Sequence, residues 1–148
     1  MSNELRQKAI RLLARREHTG TELARKLATH GTRDEIAAVI AELQASQLQS
    51  DTRAAESYVR SHADRLGASR LRQNLKTRGV SGELIDAQLA PDTLPDELER
   101  ARTVWRKKFP GAPVDAQEWA RQARFLQSRG FASDVIRRLL KEPSGATD

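Results

Sequence analysis

Three glycines set the frame of this chain. Leu27 lies four residues before Gly31, Leu75 four before Gly79 and Leu126 four before Gly130, and a basic or imidazole side chain (His30, Arg78, Arg129) immediately precedes each glycine. Four residues after each glycine comes an acid, Glu35, Glu83 or Asp134, and apolar residues resume with Ile36 and Ile40, Leu84 and Ile85, Val135 and Ile136. Gly31 and Gly79 are 48 residues apart, Gly79 and Gly130 51, the period of a supersecondary unit present three times. Glycine takes the left-handed conformation that closes a helix, a cation in the last turn meets the negative end of the helix dipole, and an acid suits the next first turn. Each copy therefore predicts helix, stop, helix. The first reading of His30, Arg78 and Arg129 is capping, with recognition second.

The remaining periodicity fills in the helices. Leu5, Ala9, Leu12 and Leu13 fall at i, i+4, i+7 and i+8 and predict a first helix over about 3–16, with Lys8, Arg11 and Arg15 on a basic stripe beside them. Thr19 with Glu22 and Thr32 with Glu35 have capping-box spacing, so two more helices start near 20 and 33. Asp51 suits the N-cap of a fourth helix that carries Ala55, Tyr58, Val59, His62 and Leu66 inward and ends at Gly67. The fifth turns Leu71 and Leu75 inward and Arg72, Gln73 and Lys76 outward, and Ser81 opens a sixth through Leu84, Ile85 and Leu89. Pro91 and Pro95 break the chain. Beyond them Leu98, Ala101, Trp105 and Phe109, then Asp115, Trp119, Ala123 and Leu126, then Val135, Ile136, Leu139 and Leu140 trace three more. The expectation is an all-α fold of three tandem three-helix repeats: 1–49, 50–92 and 93–142. A polar tail, 143–148, is expected to be disordered.

Composition narrows the function classes. Hydrophobic residues make up 38% of the chain and aromatics 4%, so the core is built from Leu, Ile, Val and Ala. There is no cysteine, hence no disulfide and no thiolate chemistry. The start of the chain lacks an apolar signal segment and no run approaches the roughly 18 apolar residues of a membrane span, which points to a soluble, cytoplasmic protein with no membrane partner. The net charge is +6, and of 26 basic residues only six are Lys. Arginine's planar fork suits carboxylates and phosphates, so a polyanionic or acidic partner is expected. No acid occurs from Leu66 to Gly82, which leaves Arg70, Arg72, Lys76 and Arg78 as an uncompensated cluster, and Arg102, Arg106, Lys107 and Lys108 form a second. These eight are the candidate partner-binding residues.

Catalytic chemistry is hard to find. The three histidines, His18, His30 and His62, belong to no metal-binding or nucleophile motif, and there is no phosphate loop. Gly31 separates His30 from Asp34, and His62 lies on an apolar helix side where packing explains it. The pairs Asp34/Glu35 and Asp96/Glu97 sit at helix starts, and the helical spacing of Trp105, Phe109 and Trp119 suits a core. The expectation is a macromolecule-binding protein that is not an enzyme and needs no cofactor or metal.

RLLARREHTGTELARKL (11–27), RLRQNLKTRGVSGELI (70–85) and RFLQSRGFASDVI (124–136) closely resemble the three successive signatures of the RecX family, regulators of the bacterial recombinase RecA. The resemblance spans nearly all of 5–141. It implies an elongated, curved helical array of the three repeats that lodges in the groove of the RecA filament on DNA and inhibits RecA's recombinase and ATPase activities in DNA repair. A monomer is expected, and the sequence leaves open whether it also makes weak direct contact with DNA. Two positions depart from the family pattern: Ala54 stands where Phe is common, and His62 where a basic residue is usual. The residues alone also allow a direct DNA-binding protein that uses one three-helix unit as a helix-turn-helix, with the Arg70 to Arg78 cluster on phosphates.

Overall fold

The structure, a computed structural model, describes residues 2–141, with the side chain of Ser2 excepted. The tail expected to be disordered, 143–148, lies outside the described residues. Nine helices account for the described chain, which contains no strand: α1 (Ser2–Arg15), α2 (Gly20–Leu27), α3 (Arg33–Ala45), α4 (Asp51–His62), α5 (Ala68–Thr77), α6 (Gly82–Gln88), α7 (Glu97–Lys108), α8 (Ala116–Ser128) and α9 (Ser133–Lys141). They fall into three triplets in chain order.

Helix starts follow the local chemistry. Thr19 and Thr32 each close a complete capping box with Glu22 and Glu35, Asp115 accepts the Glu118 N–H, and the Ser81 hydroxyl accepts the Leu84 N–H at 3.2 Å. Asp51 differs from expectation. Ser50 caps α4 by accepting the Arg53 N–H at 3.1 Å, while the Asp51 carboxylate accepts the Gly20 N–H at 2.8 Å, an orphan donor at the start of α2. α4 is also shorter than its apolar pattern, ending at His62, with a turn carrying the chain to Gly67.

Contacts divide the chain into two compact units. One runs up to Tyr58 and includes Leu75–Ile85; the other joins Val59–Asn74 to the chain from Asp86 on. In the first, Leu5, Ala9, Leu27, Ile36, Val39 and Leu43 form a buried apolar core, with Leu12, Leu13 and Ile40 packed against it. In the second, Ala101, Val104, Leu126, Phe131, Ile136 and Leu139 do so, and Trp105 and Trp119 lie partly buried at its margin, as their spacing implied. Ala54 is buried.

Each unit contains one glycine turn seated on the start of a helix from the preceding triplet, and the two seats match. In the first unit Gly79, at φ +84°, lies against Thr21 of α2, and the Thr19 hydroxyl donates to the Arg78 carbonyl at 2.6 Å. In the second, Gly130, at φ +91°, lies against Arg70 of α5, and the Gly67 N–H donates to the Arg129 carbonyl at 2.7 Å. An arginine completes both seats by donating to the last carbonyl of the capped helix: Arg25 to Thr77 and Arg70 to Ser128, each at 3.0 Å. Only Gly can hold a positive φ here without strain and let the neighbouring chain approach so closely. Gly31, aligned with these two in sequence, does not share their positive φ, so its role as a left-handed stop is not realised. A Cβ there would meet only side-chain atoms of Leu5 and Glu35, no nearer than 3.0 Å.

Candidate interaction site

The eight expected contact residues do not form two open clusters. Arg72 is paired with Asp86 at 2.8 Å and Arg78 with Glu22 at 3.6 Å, so the acid-free span of sequence is compensated by acids from elsewhere in the chain. Arg78 is half-buried, its guanidinium 4.4 Å from the centre of the Tyr58 ring. Arg70 caps α8, as described above. Arg102 bonds Glu99 at 2.5 Å and has a side chain only 15% exposed. Lys76, Arg106, Lys107 and Lys108 are exposed, as the helical pattern implied.

Glu22 is a hub of the first unit. Burial alone would raise its pKa, but the Thr19 N–H and the Arg16 guanidinium, with Arg78 nearby, hold the carboxylate below its usual range. Beside it His18 is 1% exposed. Its Nδ1 lies 3.0 Å from the Arg16 carbonyl and its Nε2 3.1 Å from the Lys26 ammonium, which suits a neutral ring that donates from Nδ1 and accepts at Nε2. Burial lowers its pKa, and the charges of Arg16 and Lys26 act in the same sense. Gln49, also buried, donates to the His18 backbone carbonyl at 3.0 Å.

In the second unit a cavity of about 600 Å³ opens beside the ends of α4, α7 and α8. Arg65, Lys107, Lys108 and Arg129 line it with His62, Asp64 and an apolar floor of Leu66, Val104 and Phe125. Lys108 Nζ and the Arg129 guanidinium stand 5.3 and 4.8 Å from the centre of the Phe125 ring, whose attraction for cations fixes both. Phe109 meets the same ring edge to face at 5.4 Å. Sequence reasoning singled out Lys107 and Lys108 but missed Arg65, and it read Arg129 first as a cap. Each lies at or just past a helix end, where a cation is ordinary, and nothing local shows that three such ends meet. His62, read as a core residue, is half-buried and faces this cavity.

Arg100 was missed as well. It is 7% exposed and donates through Nε to the Ala63 carbonyl at 2.9 Å and through Nη2 to the Leu66 carbonyl at 2.7 Å, holding the turn after α4. Burial lowers its pKa, opposed by Glu97 and Asp96. Glu97 in turn accepts the Ala132 N–H at 3.0 Å and the Ala68 N–H at 3.4 Å. No cluster of His, Asp and Glu able to hold a metal occurs among the described residues, and no helix of theirs is long and apolar enough to cross a membrane.

Nine short helices in three triplets, each later triplet seated through a glycine turn, define a class: tandem three-helix proteins that present side chains along helix faces. Comparison with known proteins specifies which. The sequence matches the family descriptions "RecX, first three-helix domain" over 6–43, "RecX, second three-helix domain" over 50–89 and "RecX, third three-helix domain" over 95–140. It is 48% identical to the regulatory protein RecX of Leptothrix cholodnii over 139 residues, covering 93% of this chain and 87% of that one. To the regulatory protein RecX of Chromobacterium violaceum it is 45% identical over 145 residues, covering 97% and 92%. The crystal structure of RecX from Lactobacillus salivarius shares the fold, with a TM-score of 0.77 at 23% identity and 95% coverage of both chains. The chain belongs to the RecX family of regulatory proteins.

Proposed function

We propose that this protein is a non-enzymatic regulator that binds the RecA filament on DNA and inhibits RecA's recombinase and ATPase activities in DNA repair and recombination. The observation that carries the reading is the match to all three RecX domains in order across the chain, together with relatives named regulatory protein RecX at up to 48% identity. The protein acts in the cytoplasm, as a monomer, through three repeats bounded at about 49, 92 and 142. Contact is made by the exposed cations Lys76, Arg106, Lys107 and Lys108, with Arg70, Arg72, Arg78 and Arg102 joining after exchanging internal partners. A positive surface steers a protein toward an acidic partner and sets specificity more than raw affinity.

Co-sedimentation with RecA assembled on single-stranded DNA, compared with naked duplex of equal length, tests this. The protein is expected to pellet with the filament in preference to naked DNA. Retention on naked duplex without preference for the filament would favour the helix-turn-helix alternative and overturn the reading.

A further inference from the structure

We propose that the cavity at the ends of α4, α7 and α8 binds consecutive phosphates of a nucleic-acid backbone. Four cations, Arg65, Lys107, Lys108 and Arg129, line it against one acid, Asp64, an excess of three positive charges. Asp64 is already engaged by Arg65 at 3.8 Å. The competing explanation is capping, because α4, α7 and α8 all end here and each C-terminus carries roughly half a negative charge. Three such ends offset about 1.5 charges, so about half of the excess is left for a ligand.

The geometry favours phosphate over other anions and over bases. At about 600 Å³ the space exceeds what a single carboxylate needs and falls within the range of sites for small molecules. The floor of Leu66, Val104 and Phe125 is apolar, and the four cations stand exposed around it, within reach of a charged ligand. Phe125 is the aromatic that could stack on a base, but Lys108, Arg129 and Phe109 already occupy its surroundings. The ring therefore orients cations instead of reading bases, and the site has no sequence preference. Phosphate recognition stands on this geometry alone; assigning the phosphates to nucleic acid rests on the proposed RecA–DNA function.

The test uses the full chain without RecA. A labelled single-stranded DNA oligonucleotide and inorganic tripolyphosphate are titrated at low and moderate salt, against wild type, K107Q/K108Q/R129Q and, as control, R137Q/R138Q on the exposed face of α9. Thermal melts confirm folding, and K108Q alone serves if the triple variant unfolds. Wild type is expected to bind both probes, with oligonucleotides of different sequence bound alike. With about 0.7 counterions released per phosphate neutralised on a single strand, three lost contacts cost about a hundredfold near 0.1 M salt and flatten the salt slope by about 2. The control should change little. Binding of neither probe by wild type, or equal losses in the control, would overturn the site. Tripolyphosphate binding without DNA binding would overturn the nucleic-acid source. Phosphate binding in a protein that leaves RecA untouched would sink the RecA reading and uphold this site, whereas RecA inhibition without phosphate binding would do the reverse.

Discussion

Replacing Gly79 with Ala probes the seat between the first two triplets with a single methyl group. At φ +84° an L-residue costs about 1–2 kcal/mol of backbone strain. The added Cβ would also lie 2.5 Å from Thr21 Cβ, a backbone-anchored atom that a rotamer change cannot move, and overpacking of this kind costs about 1–3 kcal/mol. Together the loss is about 3 kcal/mol, which for a chain of this length lowers Tm by roughly 6–12 °C. The two terms separate in a double-mutant cycle, because T21G removes the obstructing atoms and leaves the strain. G79A should therefore cost less in the T21G background, by about the overpacking term. G130A should cost at least as much, since its Cβ would meet Arg70 N at 2.5 Å and backbone cannot yield. G82A, with no atom within 4 Å of the new Cβ, is the control and should leave Tm unchanged or slightly higher. Circular dichroism melts suffice. Equal effects of G79A and G82A would refute the seat, and a full-size G79A effect in the T21G background would refute the overpacking part.

Other expectations follow from single side chains. His18 is neutral and its pKa is lowered by burial, so the unfolded chain takes up the proton first: stability is fully present above about pH 6.5 and is lost as pH falls through the lower folded value. Melts from pH 7.5 to 5 should show this decline, and H18Q should flatten it; an identical slope in H18Q would assign the decline elsewhere. R100M strands the Ala63 and Leu66 carbonyls and should cost about 2–4 kcal/mol in urea unfolding, with R100K recovering only part because an ammonium lacks the fork. Full recovery by Lys would show that charge alone matters. Neutralising the exposed Lys76, Arg106 and Lys107 should weaken RecA inhibition without moving Tm, whereas R70Q, which removes both a proposed contact and the cap on α8, should weaken inhibition and lower Tm; an unchanged Tm in R70Q would show that the cap contributes nothing to stability.

Helix starts and core stripes were legible in the sequence because their causes are local: a hydroxyl or carboxylate within three residues of an orphan N–H, and leucines one turn apart. Thr19, Thr32, Ser81, Asp115, Leu71 and Leu75 all act as their spacing implied. The errors arise where a partner comes from far along the chain. Asp51 looked like its own helix's cap and instead serves Gly20, 31 residues away, while Arg72 and Arg78 looked uncompensated until folding brought Asp86 and Glu22 to them. Gly31 matches Gly79 and Gly130 by alignment, but its φ is not positive and its neighbours are side-chain atoms of Leu5 and Glu35, not the backbone of another helix start. Arg100 and Gln122 carried an overlooked signal. Each lies one turn before a buried apolar residue, Val104 or Leu126, so a polar side chain occupies a core stripe. Gln122, which accepts from Trp105 Nε1 at 2.7 Å and donates to the Gly111 carbonyl at 3.1 Å, shows what such a residue does there.

The measurement that bears most directly on the function is the rate of single-stranded-DNA-dependent ATP hydrolysis by RecA as purified protein is added. The rate should fall with added protein and recover when excess RecA–DNA filament is supplied, while the fold-preserving K76Q/R106Q/K107Q variant should require substantially higher concentrations for the same effect. An unchanged rate at concentrations where the protein is folded and in excess over RecA would contradict the assignment of this chain as a RecA regulator.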